Sequence, residues 1–197
     1  MTYIETTSEE EATGTTAQLF ADDIADKGYI SNYTRLFTHR PAVYEAWAQL
    51  SGSIRTAMGL RRYELVTVAA ARTLKSSYCS LAHGRTLRDR FFETDQLVQV
   101  LEDRHSSELP SEEVAIMDFA EKVTVDATSI TAEDIDKLRQ HGLGEADILE
   151  VALAAAARSF FSKVLDAMGV DPDPAYAEME PELKSLLTVG RSIATGE

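Results

Sequence analysis

The chain of 197 residues has one cysteine, and that scarcity already narrows its chemistry. A single thiol excludes an intrachain disulfide framework and a cysteine-rich zinc site, and it fits a reducing compartment. Long apolar stretches are missing too. The longest purely apolar run, Val151 to Ala157, is seven residues, far short of the roughly 20 that a membrane-spanning helix needs. The opening MTYIETTSEEE has neither a basic n-region nor an apolar h-region, so no secretory signal is read there. Positive charge is in deficit: 19 Lys and Arg stand against 33 Asp and Glu, a net of −14. That balance argues against a general nucleic-acid binder. No alternating strand pattern, internal repeat, Gly-rich phosphate loop or dinucleotide motif is present. The expectation left standing is a soluble, cytoplasmic protein with no cofactor and no membrane or nucleic-acid partner.

What is there reads as helix almost throughout. Residues 1–13 are acidic and aperiodic and are expected to form a flexible tail, with 14–197 a single all-helical domain. A first helix is expected from Thr16 to Asp26. A second follows Pro41, and its stripe of Val43, Trp47, Leu50, Ile54 and Met58 has the period of a buried face. Further helices are expected over Leu60–Leu74, Ser77–Phe92 and Thr94–Asp103, and after Pro110. Thr131 and Asp134 resemble a capping box. The longest helix should run from Glu145 to Met168, rich in alanine, and a short one from Tyr176 to Leu187. The fold class is all-α, a compact bundle around an antiparallel hairpin at about 60–92.

Chemistry concentrates on that hairpin. Cys79 and His83 are four apart, on one face of a helix and about 6 Å apart along its axis. The preceding Ser76-Ser77 places Cys79 in the first helical turn, where unpaired backbone N–H groups favour a thiolate. The window Arg55 to Arg90 holds eight basic and two acidic residues, net +6 inside an acidic chain. Glu64 and His83 are equidistant from a turn between Thr73 and Leu74, so the hairpin sets them level. The proposed relay is Glu64 orienting His83, and His83 exchanging a proton with Cys79. The same three side chains could ligate a metal, but the relay explains them without an ion, and none is expected. A buried cysteine acting as a small hydrophobe, beside an unrelated histidine, is the plain alternative. The remaining histidines, His39, His105 and His141, look ordinary, and Trp47 at helical spacing reads as core.

The segment resembles the signature of the alkylhydroperoxidase D and carboxymuconolactone decarboxylase superfamily, especially its peroxidase-related branch. That signature is an acid, a Cys-x-x-Cys twelve residues on, and a His four beyond the second cysteine. Here those positions hold Glu64, Ser76, Cys79 and His83. The likeness extends to Arg40-Pro41, Arg62-Tyr-Glu-Leu65, Tyr78 to His83, and Ser159 to Val170. It implies a compact all-helical homo-oligomer, a dimer, trimer or hexamer. It also implies that Cys79 attacks a peroxide, that His83 and Glu64 relay the proton, and that Tyr78 flanks the nucleophile. Ser76 stands where the family has its resolving cysteine, so the internal disulfide cycle is excluded. An external thiol or a protein reductant must resolve Cys79, and Ser76 could instead donate a hydrogen bond to its thiolate. The leading expectation is a thiol-dependent peroxidase reducing hydrogen peroxide or organic hydroperoxides. The alternatives are a non-catalytic binding or interaction relative, and a decarboxylase-like lyase whose substrate carboxylate would sit on Arg62 or Arg72.

Overall fold

The computed structural model describes residues 2–195. Within them the regular elements are helical: α1 (Gly14–Lys27), α2 (Asn32–Phe37), α3 (Pro41–Met58), α4 (Leu60–Thr73), α5 (Ser77–Arg90), α6 (Thr94–Asp103), α7 (Ser111–Asp126), α8 (Ala132–Gln140), α9 (Glu145–Ala167) and α10 (Pro181–Leu187). Single 3-10 turns follow α7 and precede α10. None of the described helices is long and apolar enough to cross a membrane.

The centre is α4, whose residues Tyr63 to Ala71 are all buried. A helix buried on every side must be enclosed by partners, and α3, α5, α7 and α9 surround it. Small side chains ease this packing: Ala69, Ala70 and Ala71 are buried on α4, and Ala154, Ala155 and Ala157 on α9, which packs against it.

The reversal from α4 into α5 sets the position of the cysteine. The Ser76 N–H bonds the Ala71 carbonyl at 2.9 Å, and the Lys75 N–H bonds that of Arg72 at 3.0 Å. This is the Schellman pattern, which requires a left-handed residue, and Lys75 fills that place with φ 57° where glycine is usual. Holding a lysine there costs about 1–2 kcal/mol. The segment after α10 fastens over the turn. The Gly190 N–H donates to Ser77 Oγ at 2.7 Å, and Leu187 lies against Gly84 on α5.

Three sequence expectations shift. The helix α2 was not anticipated, because six residues are too few to display a period. The expected Tyr176–Leu187 helix divides into a 3-10 turn and α10, since Pro181 has no N–H to continue the earlier turn. On α3 the buried face centres on Trp47, Ile54 and Met58, while Val43 and Leu50 lie on its edge, 45% and 48% exposed. Residues 2–13 carry no helix and lie along the body through the Tyr3 N–H to Met168 carbonyl bond of 2.8 Å and an Arg35–Glu9 pair at 2.6 Å.

Candidate functional site

Cys79 is the third residue of α5 and is 2% exposed. Its thiol opens onto a cavity of about 300 Å³ between α3, α5 and α9. Aromatic rings form much of the wall: Tyr33, Tyr44, Trp47, Tyr78 and Phe161. Trp47 stacks on Phe161 with centroids 4.8 Å apart, and Tyr33 meets Phe161 edge-on at 5.5 Å. The polar lining is Ser51, Arg55, Cys79, His83 and Arg158.

The level pairing across the hairpin is realised. His83 Nδ1 lies 2.5 Å from Glu64 Oε2, with side chains 14% and 5% exposed. Burial, and then the charge of Arg158, hold the imidazole below its ordinary value, while Glu64 pulls the other way. A neutral imidazole donating Nδ1–H to the carboxylate leaves Nε2 as a proton acceptor. Glu64 does not reach the cavity; it stands behind the ring, bordering a separate open cleft with Arg55 and Arg90.

The thiol's hydrogen-bond partner is Arg158, on which sequence reasoning was silent. Nη1 donates to Cys79 Sγ at 3.4 Å and Nη2 to the Tyr63 hydroxyl at 3.3 Å. Tyr63 is held in turn by Ser51, oxygen to oxygen 2.7 Å. Arg158 is 4% exposed, its guanidinium lies over Trp47 and Phe161 at 5.5 and 5.7 Å, and its Nε has no partner. Burial alone would lower its basicity, but Cys79 and Tyr63 hold it above the ordinary value. No carboxylate among the described residues pairs with it. A signal was available in the sequence. Val151, Ala154, Arg158, Phe161 and Leu165 recur in steps of three and four, so the arginine occupies the buried stripe of α9.

Other candidates lie apart from the cavity. Arg62 pairs with Glu112 and, at 3.5 Å, with Asp147. Arg72 donates to the Leu101 carbonyl at 2.5 Å, and burial lowers its basicity. Neither lines the cavity, where Arg55 and Arg158 are found instead. Half of the basic island is engaged in ion pairs, among them Arg61 with Glu113 at 2.6 Å and Arg88 with Asp89 at 2.5 Å. The buried Ser76 hydroxyl makes no hydrogen bond of normal geometry to Cys79 or to any other described group, and the acceptor it approaches is Asp166. Tyr78 does line the cavity, with its hydroxyl turned away to donate to Asp173. Burial, and then Asp173, push that phenol well above its usual value.

No protein-family model matches the sequence, and neither does any curated protein. Solved structures do resemble it. An uncharacterised peroxidase-related protein with an alkylhydroperoxidase AhpD core, from Ralstonia eutropha JMP134, superposes with a TM-score of 0.78 over 96% of this chain and 98% of its own, at 20% identity. An uncharacterised peroxidase-related protein from Silicibacter sp. TM1040 gives 0.76 over 90% and 92%, at 19% identity. The debrominase Bmp8, as a cysteine-to-alanine variant holding 2,3,4-tribromopyrrole, gives 0.71 over 92% and 94%, at 14% identity. At these identities the likeness speaks to architecture, and the chain has the all-helical fold of the alkylhydroperoxidase D type.

Proposed function

We propose that the protein is a thiol-dependent oxidoreductase that reduces an organic hydroperoxide at Cys79. The observation that carries this reading is the setting of the thiol. It faces an aromatic-walled cavity, with a guanidinium on Sγ and a carboxylate-held imidazole on the same lining. His83 Nε2 accepts the thiol proton, and Arg158 balances the charge that appears on sulfur. The thiolate attacks the outer peroxide oxygen, the O–O bond breaks, and the proton on His83 passes to the departing alkoxide. Cys79 is left as a sulfenic acid and an alcohol is released. An external thiol then displaces water to give a mixed disulfide, and a second thiol restores Cys79. With Cys79 2% exposed, a small thiol entering the cavity suits this step better than the cysteine of a folded protein reductant.

The aromatic walls favour one other substrate for the same thiol. The debrominase neighbour is named for removing bromine and holds a brominated pyrrole ring. With a brominated ring the Cys79 thiolate would take bromine from carbon as the ring carbon takes a proton from His83, and an external thiol would then displace bromide from the S–Br bond to give a mixed disulfide. The assay is turnover of cumene hydroperoxide with dithiothreitol, alongside bromide release from a bromopyrrole. Cys79→Ser should lose both activities down to the level of free thiol, and full turnover by that variant sinks the reading. Homo-oligomerisation belongs to the same proposal, supported by exposed Val43 and Leu50 on α3 and Leu149, Leu153 and Phe160 on α9. Light scattering of the purified chain tests it, and a monomer at micromolar concentration removes it.

A further inference from the structure

A buried positive charge is costly unless something negative faces it. Arg158 has no carboxylate partner among the described residues, only a thiol and a phenol, and its Nε is unpaired. Arg55, exposed at the cavity's edge, also has no ion pair among the described residues. None of the residues lining the cavity is Asp or Glu, although the chain carries 33 of them. The carboxylates nearby are engaged from behind the wall: Glu64 by His83 and Asp173 by Tyr78. The lining itself therefore carries two formal positive charges with His83 neutral, and one remains when Cys79 ionises. Aromatic rings supply flat apolar surface around those charges, and about 300 Å³ suits a compact organic molecule rather than a peptide.

The geometry points to a planar organic monoanion as the cavity's ligand: an aromatic or conjugated carboxylate whose ring lies among Trp47, Tyr33 and Phe161 and whose charge meets Arg158 or Arg55. As a statement about substrate this rests on the Cys79 reading; as a statement about binding it stands without it.

The chain's one tryptophan, Trp47, lines the cavity and reports on it directly. The experiment titrates the protein with trans-cinnamate and with cinnamamide, its neutral analogue of nearly equal size, and follows Trp47 fluorescence and calorimetric heat. Cinnamate should bind roughly tenfold more tightly at low salt, the equivalent of about 1.4 kcal/mol, and the preference should shrink as salt rises. Arg158→Gln should reduce it to about twofold or less, and Arg55→Gln, at an exposed position, should reduce it in part. Equal affinity for the two probes overturns the proposal. So does a preference that survives both substitutions, or failure of both probes to perturb Trp47 at millimolar concentration. Cys79→Ala should keep the preference. A chain that discriminates cinnamate but reduces no hydroperoxide loses the catalytic reading and keeps this one, and the converse result does the reverse.

Discussion

Replacing Arg158 by methionine should stabilise the fold while disabling the thiol. Buried ionic groups exchanged for apolar side chains of similar volume are often neutral or stabilising by about 1–4 kcal/mol. The usual counter-argument, that one partner's removal strands the other's charge, does not apply here. The Tyr63 hydroxyl keeps its bond to Ser51, and Cys79 Sγ, a weak acceptor, loses only the Arg158 donor. A methionine at 158 would lie between Trp47 and Phe161, where sulfur–ring contacts contribute about 0.3–1.5 kcal/mol. The two cation–ring contacts are lost, so the lower part of the range applies, about 1–2 kcal/mol. For a chain of this size that is roughly 2–8 °C in Tm. The reactivity moves the other way. Without a hydrogen bond from a charged donor, about 1.5–3 kcal/mol, alkylation of Cys79 at neutral pH should slow by about one to two orders of magnitude. Thermal unfolding by circular dichroism and single-cysteine alkylation measure both effects on one sample. A fall in Tm refutes the reasoning that this charge is held for chemistry at the expense of stability, and an unchanged alkylation rate refutes its role at sulfur.

Other outcomes follow from the same contacts. His83 is held below its ordinary 6.5 in the fold, so between that lowered value and about 6.5 the unfolded chain binds more protons and stability rises with pH; urea titrations across pH 5–7 should show this slope and His83→Gln should remove it, while an identical slope in the variant excludes the histidine as its source. A Cβ at Gly190 would sit 2.0 Å from the Lys75 carbonyl oxygen, so Gly190→Ala should cost about 1–3 kcal/mol, seen as a lower Tm, and an unchanged Tm means the C-terminal segment does not clamp the turn. Ser76→Cys places a second thiol three residues before Cys79, where the resembling family has its resolving cysteine; peroxide should then consume both thiols, read by thiol titration and intact mass, and a persisting free thiol shows that the buried serine position cannot move to meet Cys79.

The hairpin was legible because its information is local. Helical period, a four-residue spacing and the symmetry of one turn suffice to bring Glu64 onto His83. Arg158 was not, because its role depends on packing α9 against α5 across 79 positions of sequence. An arginine in an alanine-rich stretch is ordinary on an exposed face, and only its register with Val151 and Leu165 marks it as buried. Arg62 and Arg72 misled for the opposite reason. Net charge in a sequence window says nothing about pairing, and acids on α7 and α9 take up Arg62, a backbone carbonyl Arg72. The α3 stripe failed in part because a periodic face is wider than the surface that covers it.

The fastening of the cysteine turn by residues far downstream has a consequence for biosynthesis. Arg158 reaches Cys79, Asp173 reaches Tyr78, Leu187 covers Gly84, and Gly190 reaches Ser77. All four lie between residues 158 and 190, the first of them 79 positions after the cysteine. A nascent polypeptide emerging from the ribosome at about 5–20 residues per second therefore exposes its thiol and its helical hairpin seconds before the groups that complete the pocket exist. Until those later segments emerge there is a cysteine but no site, and its assembly waits on chain made at least 79 positions after the thiol.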